Sequence, residues 1–564
     1  MPSLHSAAPA GTAARVKIAL PDLADKLRRT LPQWALGLEE PGLARFLAAR
    51  ALGLGAERGD ADLAACGAGL ALWSWQRAPL DRPRLELLAR ALPGTPAGSF
   101  AAALLARVAP ERDGPDPDDV AGLVASGEVA LILRLLLPGL RHPEQCLAWL
   151  APAWDGLLRL GSAELALAAL DACAFPPEFL PLRSRLRAEA EFLYAPPERA
   201  LAAVSQVDAV LFGGFAALLR AELLLRLGEA AAGRAALAAL FAALPWHTHL
   251  GLKLHALAAP PPETPAGCAG RAAICVYSWN KAELVGRTLE SLARTDCAGA
   301  RVLCLDNGST DGTAAAMRRA AGLFPEGALR VIGLPVNVGA PAARNWLLAQ
   351  PEARAAEFAV FLDDDVLLPE RWLARLLGGL LAAPRAGAAG CRIVSAAPPP
   401  CLQSADYQLF PPEGAARTFR DLPENVNVFD NCAGALDFGL FSYARPAVHV
   451  SGCCHALRTE VLRDLGGFDI RFSPTQFDDL DRDLRSAVAG RPAVYCGDVA
   501  VAHVQHSSLA KARGPAAMGQ VFGNKIKLEG KFGRDELAGA AARGLEALWD
   551  DLAAKWADLG AALG

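Results

Sequence analysis

Lysine is scarce in this chain, β-branched residues are rare in its first half, and no Cys-x-x-Cys pair occurs. The thirteen cysteines are odd in number and scattered, with only Cys453 and Cys454 adjacent. That usage excludes a disulfide framework or a cysteine-built zinc module and predicts buried, reduced thiols in a cytoplasmic protein. No uninterrupted apolar run of about 18 residues is present, so no membrane span is predicted. The opening MPSLHSAAPAGTAARVKIALPDL lacks the apolar stretch of a secretion signal. With 56 basic against 60 acidic residues and a net charge of −4, there is no electrostatic footprint for nucleic acid.

A length of 564 residues suggests two or three domains, and 53% hydrophobic residues suffice for sizeable cores. Residues 1–12 read as a disordered lead. From 13 to 258 the texture is Ala/Leu-rich, apolar at helical spacing and broken by short Pro/Gly stretches, which predicts an all-α bundle or helical-repeat domain. The repeat signal is clearest over 130–258. ALAAL at 166–170, ALAAV at 200–204 and ALAAL at 236–240 are offset by 34 and 36 residues, near the tetratricopeptide period. Self-similarity within an Ala/Leu background gives the same pattern, so both readings stand. The proline-rich stretch 259–270 is a linker, because its three consecutive prolines cannot continue a helix.

After it, strands and helices alternate. RAAICVYS, RVLCLD, LRVIGL and FAVFL read as strands, separated by amphipathic helices. This predicts an α/β domain over 271–510 with a parallel sheet covered on both faces, followed by a helical tail over 511–564. Ligands of such sheets bind outside the carboxyl ends of the strands. Those ends carry Tyr277 and Asn280, then Asp306 and Asn307 before Gly308, then Asn337 and Gly339 with Arg344 and Asn345 on the next helix, and finally Asp363, Asp364 and Asp365. Asp306 suits a ribose or base. Three adjacent carboxylates repel unless a positive charge meets them, and a hard divalent cation, Mg²⁺ or Mn²⁺, would do so together with a diphosphate. In an extended segment Asp363 and Asp365 share one side and Asp364 points elsewhere. The same triplet also suits a solvated acidic turn before a helix.

These stretches resemble the family 2 glycosyltransferases of GT-A fold. The resemblance runs through ICVYSWNKAELVGRTLESL, VLCLDNGSTDGT, NVGAPAARNWLL, FLDDDVLLPERWL, SGCCHALRTEVLRDLGGFDIRF, QFDDLDRDLRSAVAG and VYCGDVAVAHVQHSS, in that order over about 271–506. It implies a metal-dependent, inverting transfer of sugar from a nucleotide-diphosphate donor to an acceptor hydroxyl. It implies that Asp306 binds the nucleotide, with Tyr277, Asn280, Asn307, Gly339, Arg344, Asp363 and Asp364 around the donor. Asp363 and Asp365 would hold the cation, with His503 or His506 completing its site. Asp479 would be the general base, although Asp478 stands where the family has Glu, which leaves the choice between the two open. The stretch 395–446 is an insertion suited to an acceptor cleft or lid.

The acceptor would be a glycan, a lipid-linked sugar or a protein, with the helical half free to bind a protein partner. Lys525, Lys527, Lys531 and Arg534 suit either a solvated helix face or a peripheral contact with the inner membrane surface. Two rival classes are a phosphatase using Asp-x-Asp and a non-catalytic scaffold with a decayed transferase domain. Three strand–helix units precede the triplet, which argues against the first, and every carboxylate the chemistry needs is present, which argues against the second.

Overall fold

The computed structural model describes residues 16, 18–108, 115–264, 268–411, 417–418, 422–423, 425–504 and 515–563. The predicted lead over 1–12 and His506 lie outside the described residues. Contacts divide the chain into two compact units. One comprises Met1–Leu257 with Ala397–Pro400 and Leu552–Gly564, the other Ala258–Ala396 with Cys401–Asp551.

The main stretch of the first unit is built of helices, from Leu20–Thr30 to Thr248–Ala258. Side chains at helix starts accept the amide protons that have no partner within the helix. Asp60 does so for Asp62 and Leu63, and Asp208 for Val210 and Leu211. The three Ala-Leu segments fall in helices Ala163–Ala172, Pro197–Val204 and Ala230–Ala243, each followed by a second helix. Their inward residues are Ala166, Ala169 and Leu170, then Ala200 and Val204, then Leu237 and Leu240. The recurring letters therefore mark the buried face of the leading helix in three successive pairs.

Several charged side chains are packed into this unit, Glu39 and Arg185 among them. Glu39 accepts from Trp73 Nε1 at 2.9 Å and from Arg77 Nε at 3.1 Å. Arg185 is fully buried, donates to the carbonyls of Gln76 and Arg77, pairs with Glu189, and lies 4.1 Å over the Phe215 ring.

In the second unit β1 (Ala272–Ser278), β2 (Arg301–Asp306), β3 (Leu329–Gly333) and β4 (Phe358–Leu362) are parallel, in spatial order β4-β1-β2-β3. Their side chains alternate between two covering layers, and β4 is buried along its whole length. The strands that follow are β5 (Val366–Leu367), β6 (Ala388–Ser395), β7 (Leu402–Ser404), β8 (Tyr407–Phe410), β9 (Arg417–Thr418), β10 (Leu422–Pro423), β11 (Asn427–Asp430), β12 (Ala444–Ala447), β13 (Cys454–Arg458) and β14 (Ala493–His503). The main sheet runs β12-β14-β6-β13-β4-β1-β2-β3, with β5 on β14 and β7 on β6.

The sheet is mixed, not wholly parallel as the alternation suggested. β13 runs antiparallel to both β4 and β6, and β12 antiparallel to β14. After β4 the chain passes through β5 and helix Trp372–Ala382 to β6, which runs in the direction of β4 because β13 opposes both. The chain then makes its excursion through 395–446 and re-enters at the end where β4 finishes, which forces β13 to run the other way.

Within that excursion β8 pairs with β11 and β9 with β10. Asp406, fully buried, anchors it by accepting from Tyr443 Oη at 3.0 Å, from Asn431 Nδ2 at 3.2 Å and from the Arg445 guanidinium. Trp549 and Trp556, seven residues apart on the tail helix, are both buried. Among the described residues no helix is long and apolar enough to cross a membrane.

Removing one member of a buried ion pair strands the other, at a cost of about 3–5 kcal/mol. Arg185→Met is expected to lower the urea midpoint of the first unit accordingly, and adding Glu189→Leu to recover part of the loss.

Candidate functional site

Three segments distant in sequence meet at the carboxyl end of β4. Asp363 follows β4 directly, and its amide donates to the Cys453 carbonyl at 3.0 Å, because Cys454 pairs with Leu362. The last residue of β14, His503, pairs with Val366 of β5 and lies beside Ser395 of β6. The antiparallel entry of β13 thus delivers Gly452 and Cys453 to the aspartate triplet.

Much of the charge that makes the triplet tolerable belongs to the protein itself. Lys281 Nζ donates to Asp364 Oδ1 at 2.9 Å and to Asp365 Oδ2 at 3.1 Å. Asp364 also accepts from Ser278 Oγ, and Asp365 Oδ1 lies 3.0 Å from His503 Nε2. Burial pushes the Asp364 carboxyl up to about 6, against the pull of Lys281. Asp363 differs from its neighbours. Its side chain is 27% exposed, and its nearest cation is Arg344 Nη2 at 4.0 Å.

Asp364 and Asp365 lie in a turn, not in the extended segment on which the expected alternation was based, and both face Lys281. Asp365 faces His503 and Lys281. The atoms that gather around Asp363 are those of Cys453 and His503, all three ligand atoms within 4.8 Å of one another. A carboxylate, an imidazole and a sulfur in that space form a donor set that fits a divalent cation.

Arg344 is the hinge between two acidic groups. It is buried, its Nη1 donates to Asp478 Oδ2 at 2.8 Å, and it lies over the rings of Tyr277 and Phe468. Asp478 and Asp479 open helix Asp478–Val488, where the helix dipole favours acids. Asp479 accepts from the amides of Gly452 at 3.0 Å and Leu480 at 2.8 Å, and remains partly open. Any side chain at 452 would collide with it, since a Cβ there would sit 2.6 Å from Asp479 Oδ2. Burial raises the Asp478 carboxyl to about 6 despite Arg344. For Asp479 burial is outweighed by the charges of His449 and Arg344, which hold its carboxyl below the usual range. His449 is itself fixed through Nδ1 by Asp483 at 2.8 Å.

The other strand ends form the neighbouring wall. Asp306 and Asn307 are buried. Asp306 accepts from the Ser309 amide, and Asn307 joins Asn337 at 2.9 Å and the Val338 amide at 3.0 Å. Gly308 has φ 73°, and a Cβ there would lie 2.3 Å from the Val336 carbonyl carbon, so no other residue fits. Gly339, at φ 83°, donates its amide to Asn337 Oδ1 at 2.8 Å. Asn280, exposed at φ 52°, accepts the Thr310 amide at 2.8 Å and so ties the β1 and β2 ends together.

Sequence reasoning missed the roles of Lys281, Cys453, His449 and Asp483. Lys281 stands in the first strand end, where its charge was a usable signal. The others depend on β13 running antiparallel. Among the lysines of the tail segment, exposed Lys527 donates to the Arg471 carbonyl at 2.7 Å. Lys525 pairs with Glu529 at 2.7 Å, and Lys531 with Asp469 at 2.7 Å and Asp481 at 2.6 Å.

Lys281→Ala is expected to cost about 1–3 kcal/mol at pH 8, where it strands two buried carboxylates. Asp364 sheds its charge as pH falls through about 6, so the gap from the unaltered chain should close below that pH. Denaturant melts at pH 8 and pH 5 measure the difference.

Comparison with known proteins adds the following. A protein-family model described as "Glycosyltransferase like family 2" matches residues 269–514. An O-antigen biosynthesis protein of Myxococcus xanthus, RfbC, is 28% identical over 169 residues, which is 30% of this chain and only 12% of that protein. Among solved structures, the mannosyltransferase PcManGT from Pyrobaculum calidifontis, in complex with GDP-Man and Mn²⁺, is 23% identical. It covers 58% of this chain and 91% of its own, with a TM-score of 0.31. TarS of S. aureus is 18% identical over 49% of this chain and 43% of its own, with a TM-score of 0.33. What the comparisons show is thus a match of residues 269–514 to the model of the glycosyltransferase like family 2.

Proposed function

We propose that the second unit transfers a sugar, with inversion, from a nucleotide-diphosphate donor to an acceptor hydroxyl in glycan biosynthesis. The observation that carries this reading is that Arg344 spans the two acidic groups, 2.8 Å from Asp478 and 4.0 Å from Asp363. Partly open Asp363 at one end of the guanidinium, and buried Asp478 with partly open Asp479 next to it at the other, suit a reaction with a leaving group on one side and a deprotonated nucleophile on the other. The named relative in O-antigen biosynthesis supports a polysaccharide or lipid-linked acceptor over a protein.

In this reading Asp306, Asn307 and the Asn280 turn receive the nucleoside. Asp363 and His503 hold a divalent cation, Mg²⁺ or Mn²⁺, which when bound offsets charge on the departing diphosphate. Asp365 would support the cation site from behind. It orients His503 through Nε2 and is itself held by Lys281.

Asp479 is the general base, because its carboxylate is partly open and stays ionised, while Asp478 is committed to Arg344. It takes the proton of the acceptor hydroxyl as that oxygen attacks the anomeric carbon from the face opposite the diphosphate. The Gly452 and Leu480 amides, bonded to Oδ2 and Oδ1 respectively, fix its orientation. The excursion through 395–446, anchored at Asp406, forms the acceptor wall.

A thermal-shift screen of UDP-, GDP- and dTDP-sugars with Mn²⁺, followed by transfer assays, tests the reading. Asp479→Asn is expected to lower transfer by at least about 10²-fold with donor binding retained, and normal turnover would overturn the assignment. Activity is expected to fall as pH drops through about 6, when Asp478 takes up a proton and releases Arg344. The pH profile of kcat/KM measures this, and the residual activity of Asp478→Asn should lack that limb.

A further inference from the structure

We propose that Cys453 is a ligand of the cation site, which makes the site one for a thiophilic divalent metal. The inference rests on the transferase reading above and goes beyond it by naming the third donor and the class of metal. Three observations carry it.

The first is position. Cys453 precedes β13, and its carbonyl accepts the Asp363 amide at 3.0 Å, so backbone pairing alone fixes the thiol beside that carboxylate. The second is convergence. Cys453 Sγ lies 4.0 Å from His503 Nδ1, and with an Asp363 oxygen the three atoms fall within 4.8 Å of one another. One ion with bonds of about 2.0–2.3 Å to nitrogen, oxygen and sulfur spans such a triangle after small side-chain adjustments.

The third is the orientation of the imidazole. His503 Nε2 is engaged by Asp365 Oδ1 at 3.0 Å, which leaves Nδ1 as the nitrogen turned toward the thiol. A carboxylate behind a ligating histidine fixes its tautomer and raises its basicity. Lys281 fixes that carboxylate in turn through its other oxygen. Nδ1 also meets Gln403 Oε1 at 2.6 Å, and metal binding exchanges that contact for the metal bond.

Charge balance points the same way. The five carboxylates of Asp363, Asp364, Asp365, Asp478 and Asp479 face two permanent cations, Lys281 and Arg344, and the two imidazoles of His503 and His449, so even with both rings protonated a negative excess remains for a cation to offset. On binding, the Cys453 S–H bond is exchanged for an S–metal bond and the proton leaves to solvent. Magnesium prefers oxygen ligands and gains little from a sulfur, whereas Zn²⁺, Co²⁺ and, more weakly, Mn²⁺ accept one.

The test is optical titration of the full chain with Co²⁺ after chelator treatment. Thiolate ligation adds a near-ultraviolet sulfur-to-cobalt band to the visible ligand-field bands. The expected result is both sets of bands. In Cys453→Ser the near-ultraviolet band should be lost, the visible bands kept, and Co²⁺ affinity lowered by at least about 10-fold. Asp363→Asn should weaken both sets, and circular dichroism reports whether each variant is folded. Visible bands without the sulfur band in the unaltered chain, or an unchanged sulfur band in Cys453→Ser, would overturn the assignment of Cys453 and leave the cation site of the transferase reading intact. The absence of every band would overturn both.

Discussion

The second unit depends on reconciling three consecutive carboxylates with the end of a fully buried strand. Burial alone would neutralise them, and mutual repulsion would splay them. The fold distributes them instead. Asp364 and Asp365 share Lys281, Asp365 also takes His503, and Asp363 is left partly open with Arg344 at 4.0 Å. Two of the three carboxylates therefore build the site, and one is available to a ligand. Because Lys281 and His503 come from opposite ends of the domain sequence, the acidic turn couples the first strand of the sheet to the last.

The direction of β13 carries the same importance. A parallel strand beside β4 would end where β4 ends and send its continuation into a covering helix. An antiparallel one begins there, so Gly452 and Cys453 arrive at the triplet with their backbone groups aimed at it. Gly452 then serves Asp479 through its amide and leaves no room for a side chain, while Cys453 serves Asp363. Arg344 completes the circuit by spanning Asp363 and Asp478, and the rings beneath it set the plane of its guanidinium. The proposed base and the proposed cation site are thus parts of one assembly, joined by hydrogen bonds and by the charge of Arg344.

The parallel half of this architecture was legible in the sequence, because each strand there is a short apolar run followed by turn residues and an amphipathic helix. The strand ends that carry Asp306, Asn307 and the triplet lie near one another at the carboxyl end of the parallel strands. What was not legible follows from long-range pairing. Nothing local in SGCCHALR states which way that strand runs or which neighbour it meets, so Cys453 read as one more buried thiol. Asp365 read as a ligand because alternation puts it on the side of Asp363, but alternation cannot reveal a lysine 84 residues away that claims it. In the helical unit, composition announced helices, while the buried contacts of Arg185 and Glu39 depend on partners from distant helices and left no local trace.

The central claim is that the open end of the triplet holds a cation that grips a diphosphate. Calorimetric titration of a nucleoside diphosphate into the full chain, with and without Mn²⁺, tests it most directly. The account predicts binding that the cation tightens by at least about 10-fold and that Asp363→Asn returns to the cation-free level. Binding of equal strength in both conditions, or tightening that survives Asp363→Asn, would contradict it.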